Sequence, residues 1–345
     1  MRRRRRCVSA VRLRRFALLE KGKRVTSMSR SAALVAVSVA GLVLSAPIVH
    51  ADNVTATVPV GAGPTEVAVA PDGSRVYVTD YFDAAVTVVD TATDTVTATV
   101  PVGGYPTDVA IGPDGSRAYV TNSDDGTVSV LDTAAGTVVA TVPVGAGPEG
   151  VAVTPDGARA FVSNYDGGTV SVIDTRTDAV TATVPVGRLP SEVAITPDGT
   201  RVYVAEQGSN AVAVIDVATA TVVGSVPVGD GPFGVAITPD GTRAYVTAWD
   251  SDAVSVVALP VNAVVATVPV GDRPFGTAVS PDGTRAYVTN YASDTVSVLG
   301  TAVDAVVGTV VVGDSPSAVV ITPDGTRAYV SNYDGDSVSV VAIEP

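Results

Sequence analysis

An all-β ring of seven repeated units is the fold this sequence predicts, and three observations predict it. The Pro-Asp-Gly triplet recurs at Pro71, Pro113, Pro155, Pro197, Pro239, Pro281 and Pro323, a constant step of 42 residues, and about 40–45 residues is the period of four-stranded propeller blades. The 294 residues from 52 to 345 make seven such units. The two ends are fractions of one unit, because 52–61 reads as a last strand without its first three and 314–345 as three strands without a last. Pairing them closes the ring and leaves neither end as a free sheet edge. The expected fold is therefore a seven-bladed β-propeller of four-stranded antiparallel blades at 62–103, 104–145, 146–187, 188–229, 230–271, 272–313 and 314–345 with 52–61.

The chain opens on a segment of different composition. Residues 1–51 hold 12 of the 22 Lys and Arg, one acid (Glu20), and the sole Cys (Cys7) and sole His (His50). The apolar run at 32–44 is shorter than the ~20 residues of a spanning helix, and Val49 and Ala51 stand at the small-residue positions of a cleavage site. This reads as a signal peptide removed after Ala51. Met28 opens a more ordinary signal, which makes 1–27 an untranslated leader on that reading, and an uncleaved anchor is the competing one. Export to the medium, the cell surface or the periplasm follows, with no membrane span after cleavage.

Each repeat then resolves into four strands. In 146–187 the first is 149–154, ending in Pro155-Asp156-Gly157, where Pro presets the turn and Gly supplies the positive φ that closes it. The second is 159–163, the third 169–174 and the fourth 180–186, with turn residues at each joint and β-branched residues alternating with small or polar ones. The fourth carries Pro59, Pro101, Pro143, Pro185, Pro227 and Pro269, with Val311 the one departure. Proline cannot donate to a ladder, so this strand lies outermost. The Arg three residues beyond each repeated Asp, as in Asp72 with Arg75 and Asp282 with Arg285, is expected to pair blade to blade.

Directly after the Pro-Asp-Gly turns stand YVTD at 77–80, YVTN at 119–122, FVSN at 161–164, YVTN at 287–290 and YVSN at 329–332. These resemble the YVTN-family β-propeller repeat of secreted and surface-layer proteins, over essentially all of 52–345. YVAE at 203–206 and YVTA at 245–248 depart at the last position. The resemblance implies an exported seven-bladed propeller and no single activity, because propellers host many functions.

Composition excludes more than it includes. Residues 52–345 contain ten Arg, no Lys and 34 acids, a net charge of −24, which repels phosphate backbones and argues against nucleic acid. With His50 and Cys7 outside this body, no Ser-His-Asp or Cys-His nucleophile can be assembled there. Propellers similar in fold, such as lactonases, streptogramin-lyase-like enzymes and haem d1 proteins, use His for catalysis or ligation. No cofactor is expected, and no metal: the loops at 122–126 and 332–336 are rich in Asp and Asn but lack a calcium loop's bidentate Glu, and turn formation accounts for them.

Two groups remain as candidates for one mouth of the central channel. Glu66, Asp108, Glu149 and Glu192 fall at the starts of four innermost strands. They read either as solvated charges that keep a funnel wet or as an acid and base acting on a glycoside. The loops between second and third strands bring Tyr81, Phe82, Tyr165, Trp249, Tyr291 and Tyr333 to the same mouth, and the loops entering the first strands bring Tyr105, Phe233 and Phe275. Packing between blades and binding of a sugar or peptide both suit them. The leading expectation is a monomeric, non-catalytic binding scaffold for a glycan, peptide or surface protein. The alternative is a carboxylate-dependent hydrolase or lyase, lactonase-like, at the channel mouth.

Overall fold

The computed structural model describes residues 52–344; the signal-peptide reading falls outside them. Among these residues there are 28 strands and no helix. They form seven four-stranded antiparallel sheets, each running from an innermost first strand to an outermost fourth. The seven-bladed propeller read from the repeat is the fold. In blade three the strands are Pro148–Val153, Arg159–Asn164, Thr169–Asp174 and Ala179–Pro185, each bound lying within one residue of the expected one.

Burial explains the pattern inside each strand. Second and third strands are buried on both faces between neighbouring blades, and fourth strands are largely exposed. The cores lie between blades. Tyr77, Val86, Val88 and Val100 of blade one pack with Val109, Ala118, Val120 and Leu131 of blade two. The second-strand aromatics Tyr119, Phe161, Tyr245, Tyr287 and Tyr329 are at most 2% exposed, so the Tyr of the YVTN element is a structural wedge.

The last residue of that element ties the mouth loops down. Asn122 donates to Thr127 and Ser129 at 3.0 and 2.9 Å and accepts the Gly103 N–H at 3.1 Å, and Asn164, Asn290 and Asn332 do the same in their blades. Asp80, Glu206 and Ala248 replace Asn in the other three blades, and there the hydroxyl five residues on is also gone, as Ala85, Ala211 and Ala253. Asp80 is the uneasy case. It is fully buried, Thr87 donates to its Oδ2 at 2.6 Å, and its Oδ1 has no partner. Burial raises its pKa to about 6, with the Asp83 charge adding to the rise. Asp80→Asn is expected to stabilise the protein by ~2–3 kcal/mol at pH 8, where the carboxylate is charged, and hardly at all at pH 4. Urea unfolding of both forms at the two pH values reads this directly.

On the opposite face the arginines behave as expected. Arg117 reaches the Thr175 carbonyl and Asp178 of the next blade at 2.9 and 3.0 Å, and Arg243 reaches Thr301 and Asp304 in the same way. Arg201 is the exception, turning back to Asp216 of its own blade. Ring closure uses the same device. The N-terminal strand Asn53–Pro59 pairs antiparallel with Ser337–Ala342, from Asn53 against Ala342 to Pro59 against Ser337. Asp52, the first described residue, takes the place of the turn acid: it accepts from the Tyr287 hydroxyl at 2.8 Å and the Glu344 N–H at 2.9 Å, with Arg285 at 3.4 Å.

Candidate functional site

The innermost strands choose between two arrangements when they enter the channel. In blades one, two, four and seven the residue after the leading Pro is a small hydroxyl, Thr65, Thr107, Ser191 or Ser317. Each donates sideways to a carbonyl on the next innermost strand, as Thr65 to Pro106 at 3.1 Å and Ser317 to Pro64 at 3.0 Å. The following residue is Glu66, Asp108, Glu192 or Ala318, of which Glu66 and Glu192 line a cavity while Asp108 and Ala318 are buried. In blades three, five and six the pair is reversed, as Glu149-Gly150, Phe233-Gly234 and Phe275-Gly276. A second-strand hydroxyl supplies the sideways bond there, as Thr247 to the Phe275 carbonyl at 2.6 Å and Thr289 to the Ser317 carbonyl at 2.9 Å.

Glycine in those three blades is a matter of space. A Cβ on Gly234 would lie 2.4 Å from the Phe275 carbonyl oxygen, and one on Gly276 2.6 Å from that of Ser317. The obstacle is backbone of the neighbouring blade, which cannot give way alone. Gly234→Ala is expected to cost ~2–4 kcal/mol by overpacking, seen as a lower denaturation midpoint with an unchanged slope.

Three of the four acids, Glu66, Asp108 and Glu192, are withdrawn from solvent and are not the solvated charges expected from the sequence. Asp108 is 5% exposed, and its two oxygens accept the N–H groups of Val109 and of Val151 in the next blade, both at 2.6 Å. Burial nonetheless holds its pKa up at about 7. Glu66 is pushed well above the usual carboxylate range by burial and then by the Asp108 charge. Glu192 is pushed up likewise by burial, then by Asp108, Glu66 and Glu149. The sequence hid this effect because it needs burial and acids brought together from separate blades, Asp108 raising Glu66, and Asp108, Glu66 and Glu149 raising Glu192. Opposite them Phe233 and Phe275 stack with ring centroids 3.8 Å apart. Between the two walls is a cavity of about 60 Å³.

Around the mouth the aromatics form an unbroken chain over five blades. Tyr105 stacks on Tyr81 at 4.7 Å, Tyr81 meets Phe82 at 5.1 Å, and Phe82 meets Tyr333 at 5.9 Å. Tyr333 continues to Tyr291 at 6.3 Å, which meets Trp249 at 5.4 Å and Phe275 at 6.1 Å. The packing use is seen for part of this assembly. Tyr81, Trp249 and Tyr333 are buried and serve as backing, whereas Phe82 is 49% exposed and Tyr105 and Tyr291 are partly exposed. Tyr165 stands apart from this chain, its hydroxyl donating to Gln207.

One feature of the mouth escaped sequence reading. The residue before each leading Pro has positive φ in all seven blades: Gly63, Gly147 and Gly231 in three, but Tyr105 (54°), Leu189 (52°), Arg273 (55°) and Ser315 (54°) in the others. A bulky residue there costs of order 1–2 kcal/mol, and such strain collects at functional surfaces. The signal was legible in principle, because Gly at that position in three repeats marks the conformation.

With this geometry in view, the comparisons with known proteins can be placed. The model of the cytochrome D1 heme domain matches residues 76–203, and that of the seven-bladed β-propeller lactonases matches 175–263. Neither match spans half of the chain. Among solved structures, a chain of hydrazine synthase from Kuenenia stuttgartiensis aligns with a TM-score of 0.75 at 25% identity, over 88% of this chain and 99% of that one. No curated protein matches. This chain is similar to all three as a propeller. A haem group does not fit the channel seen here: residues 52–345 supply no His, Cys or Met as an axial ligand, and the cavity of about 60 Å³ is far below the size of a macrocycle. Among the described residues no group of three or more His, Cys, Asp or Glu is placed to hold a metal ion. In the 332–336 loop the Asn332 amide and Asp336 Oδ1 are already taken by Ser337, Ser339 and the Gly63 N–H.

Proposed function

We propose that this chain is an exported, monomeric propeller of the YVTN type, acting without catalysis as a scaffold that binds a glycan, peptide or surface protein at its loop-bearing mouth. The observation that carries the reading is the aromatic chain from Tyr105 to Phe275, which presents Phe82 to solvent over a buried backing of Tyr81 and Tyr333. Rigid aromatics on a buried support lose little entropy on binding. The left-handed Tyr105 supports it, since its side chain is kept at a conformational cost that Gly avoids in three sister blades. The charge of −24 on residues 52–345 keeps nucleic acid and anionic lipid away.

Trp249 is the only Trp in the chain and sits against Phe275 and Tyr291, so its fluorescence reports on the mouth. Titration with oligosaccharide and peptide panels is expected to give a saturable change for at least one class. Phe82→Ala and Tyr105→Gly should weaken that binding with stability nearly unchanged, since the second relieves strain while it removes a ring. A flat response across both panels removes the proposal.

A second reading keeps a specific observation behind it: Glu66 and Glu192, carboxyls of raised pKa, line the cavity, and the lactonase match includes Glu192. Hydrolysis of lactones or esters by a carboxylate pair would be abolished in Glu192→Gln. The cavity of about 60 Å³ is small against the ~300–1,000 Å³ of ordinary small-molecule sites, which favours binding at the mouth.

A further inference from the structure

The channel end of the mouth carries chemistry that the aromatic chain leaves unused. Glu66 and Glu192 bound the cavity on one side, and the Phe233–Phe275 stack bounds it on the other. Thr277 also lines it, and its hydroxyl oxygen is sealed from solvent with no hydrogen-bond partner among the described residues. No arginine among the described residues pairs with Glu66, Asp108 or Glu192; Arg117, Arg243 and Arg327 are committed to Asp178, Asp304 and Asp94. The wall thus combines carboxyls lacking a counter-cation with two aromatic rings, which is what a small organic cation requires.

Size then selects among cations. A volume of about 60 Å³ holds only a few waters and is small beside the ~300–1,000 Å³ of ordinary small-molecule sites, yet it is enough for an ammonium head with the start of its alkyl stem. We propose that the cavity receives a primary ammonium group on an alkyl stem, as at the tip of a lysine side chain, projecting from a ligand held at the mouth. This rests on the mouth-binding reading and names the chemical class of its ligand. The ammonium donates N–H groups to Glu66 and Glu192 while the stem lies along the Phe275 ring. Residues 52–345 contain no Lys, so they cannot fill the site themselves, and their negative field draws cationic partners toward it. Glu66 faces Asp108, and Glu192 faces Asp108, Glu66 and Glu149; an entering cation makes these carboxyls give up protons, so binding tightens from pH 5 to pH 8.

The probe is n-butylammonium chloride titrated calorimetrically into the protein, with n-butanol as the uncharged isostere. The ammonium is expected to bind at least 10-fold more tightly than the alcohol, with a heat that depends on the buffer because protons are released. Glu66→Gln/Glu192→Gln should lose that preference without a lower Tm, and Phe275→Leu should weaken ammonium binding several-fold. Equal binding of amine and alcohol, or an undiminished preference in the double Gln variant, overturns the proposal. A glycan or peptide that still shifts Trp249 fluorescence in that case leaves the mouth reading standing, so the two failures are separable.

Discussion

A chain lacking residues 52–59 is expected to lose its cooperative unfolding transition, or to show it at least ~15 °C lower. The strand Asn53–Pro59 supplies the outermost strand of blade seven and places Val58, 4% exposed, against Val338 and Val340. Its removal forfeits ~2 kcal/mol of Val burial, together with several ladder bonds at ~1 kcal/mol each. It also strips the Tyr287 hydroxyl and Arg285 of Asp52, and Glu344 of the acceptor for its N–H. These losses together rival the ~5–15 kcal/mol that holds a domain folded. The strand Ser337–Ala342 would also become an exposed apolar edge, a template for association. Scanning calorimetry with size-exclusion chromatography reads both effects. Asp52→Ala separates the latch from the strand, with an expected cost of ~1–3 kcal/mol from the buried groups it leaves unpaired. An unchanged transition in the truncated chain would show that the ring does not depend on this strand.

The second large effect is with pH, and its sign is opposite to that of most proteins. Unfolded carboxyls lose their protons near pH 4. In the folded protein Asp80 keeps its proton to about 6 and Asp108 to about 7, and Glu66 and Glu192 keep theirs beyond the usual range. Between those values the native state binds more protons than the unfolded state, so stability falls as pH rises from about 5 to 8. The exposed turn aspartates act in the other direction. Asp72, Asp114, Asp156 and Asp240 are held below the usual range by hydrogen bonds to neighbouring Ser, Ala and Thr residues, and what they contribute is lost below about pH 4. The melting temperature should therefore peak near pH 5. Glu66→Gln/Glu192→Gln should raise it at pH 8 and flatten the slope. Stability that climbs from pH 5 to 8 would mean that these carboxyls are ionised and solvated.

Repetition by itself determined the architecture. A 42-residue step, Pro at the outermost strand, Asp-Gly at each inner turn and complementary chain ends leave one closed solution, because each is a local backbone constraint repeated in phase. The positions of Glu66, Asp108 and Glu192 at the channel, and the gathering of Tyr81, Tyr105, Trp249 and Tyr333 at one mouth, were legible for the same reason: equivalent positions in a ring share a radius and a face. The exchange between a hydroxyl-acid pair and a bulky-Gly pair was written in the repeats, but its meaning required the distance from Gly234 to the Phe275 carbonyl.

Only the tertiary structure decided the electrostatics and the exposure. Whether Glu66 is a wet charge or a protonated acid depends on its burial and on Asp108 of the next blade, and whether a Tyr is backing or surface depends on the blade beside it. Both are set by groups 42 or more residues away in sequence, and no local pattern records how close the ring brings them.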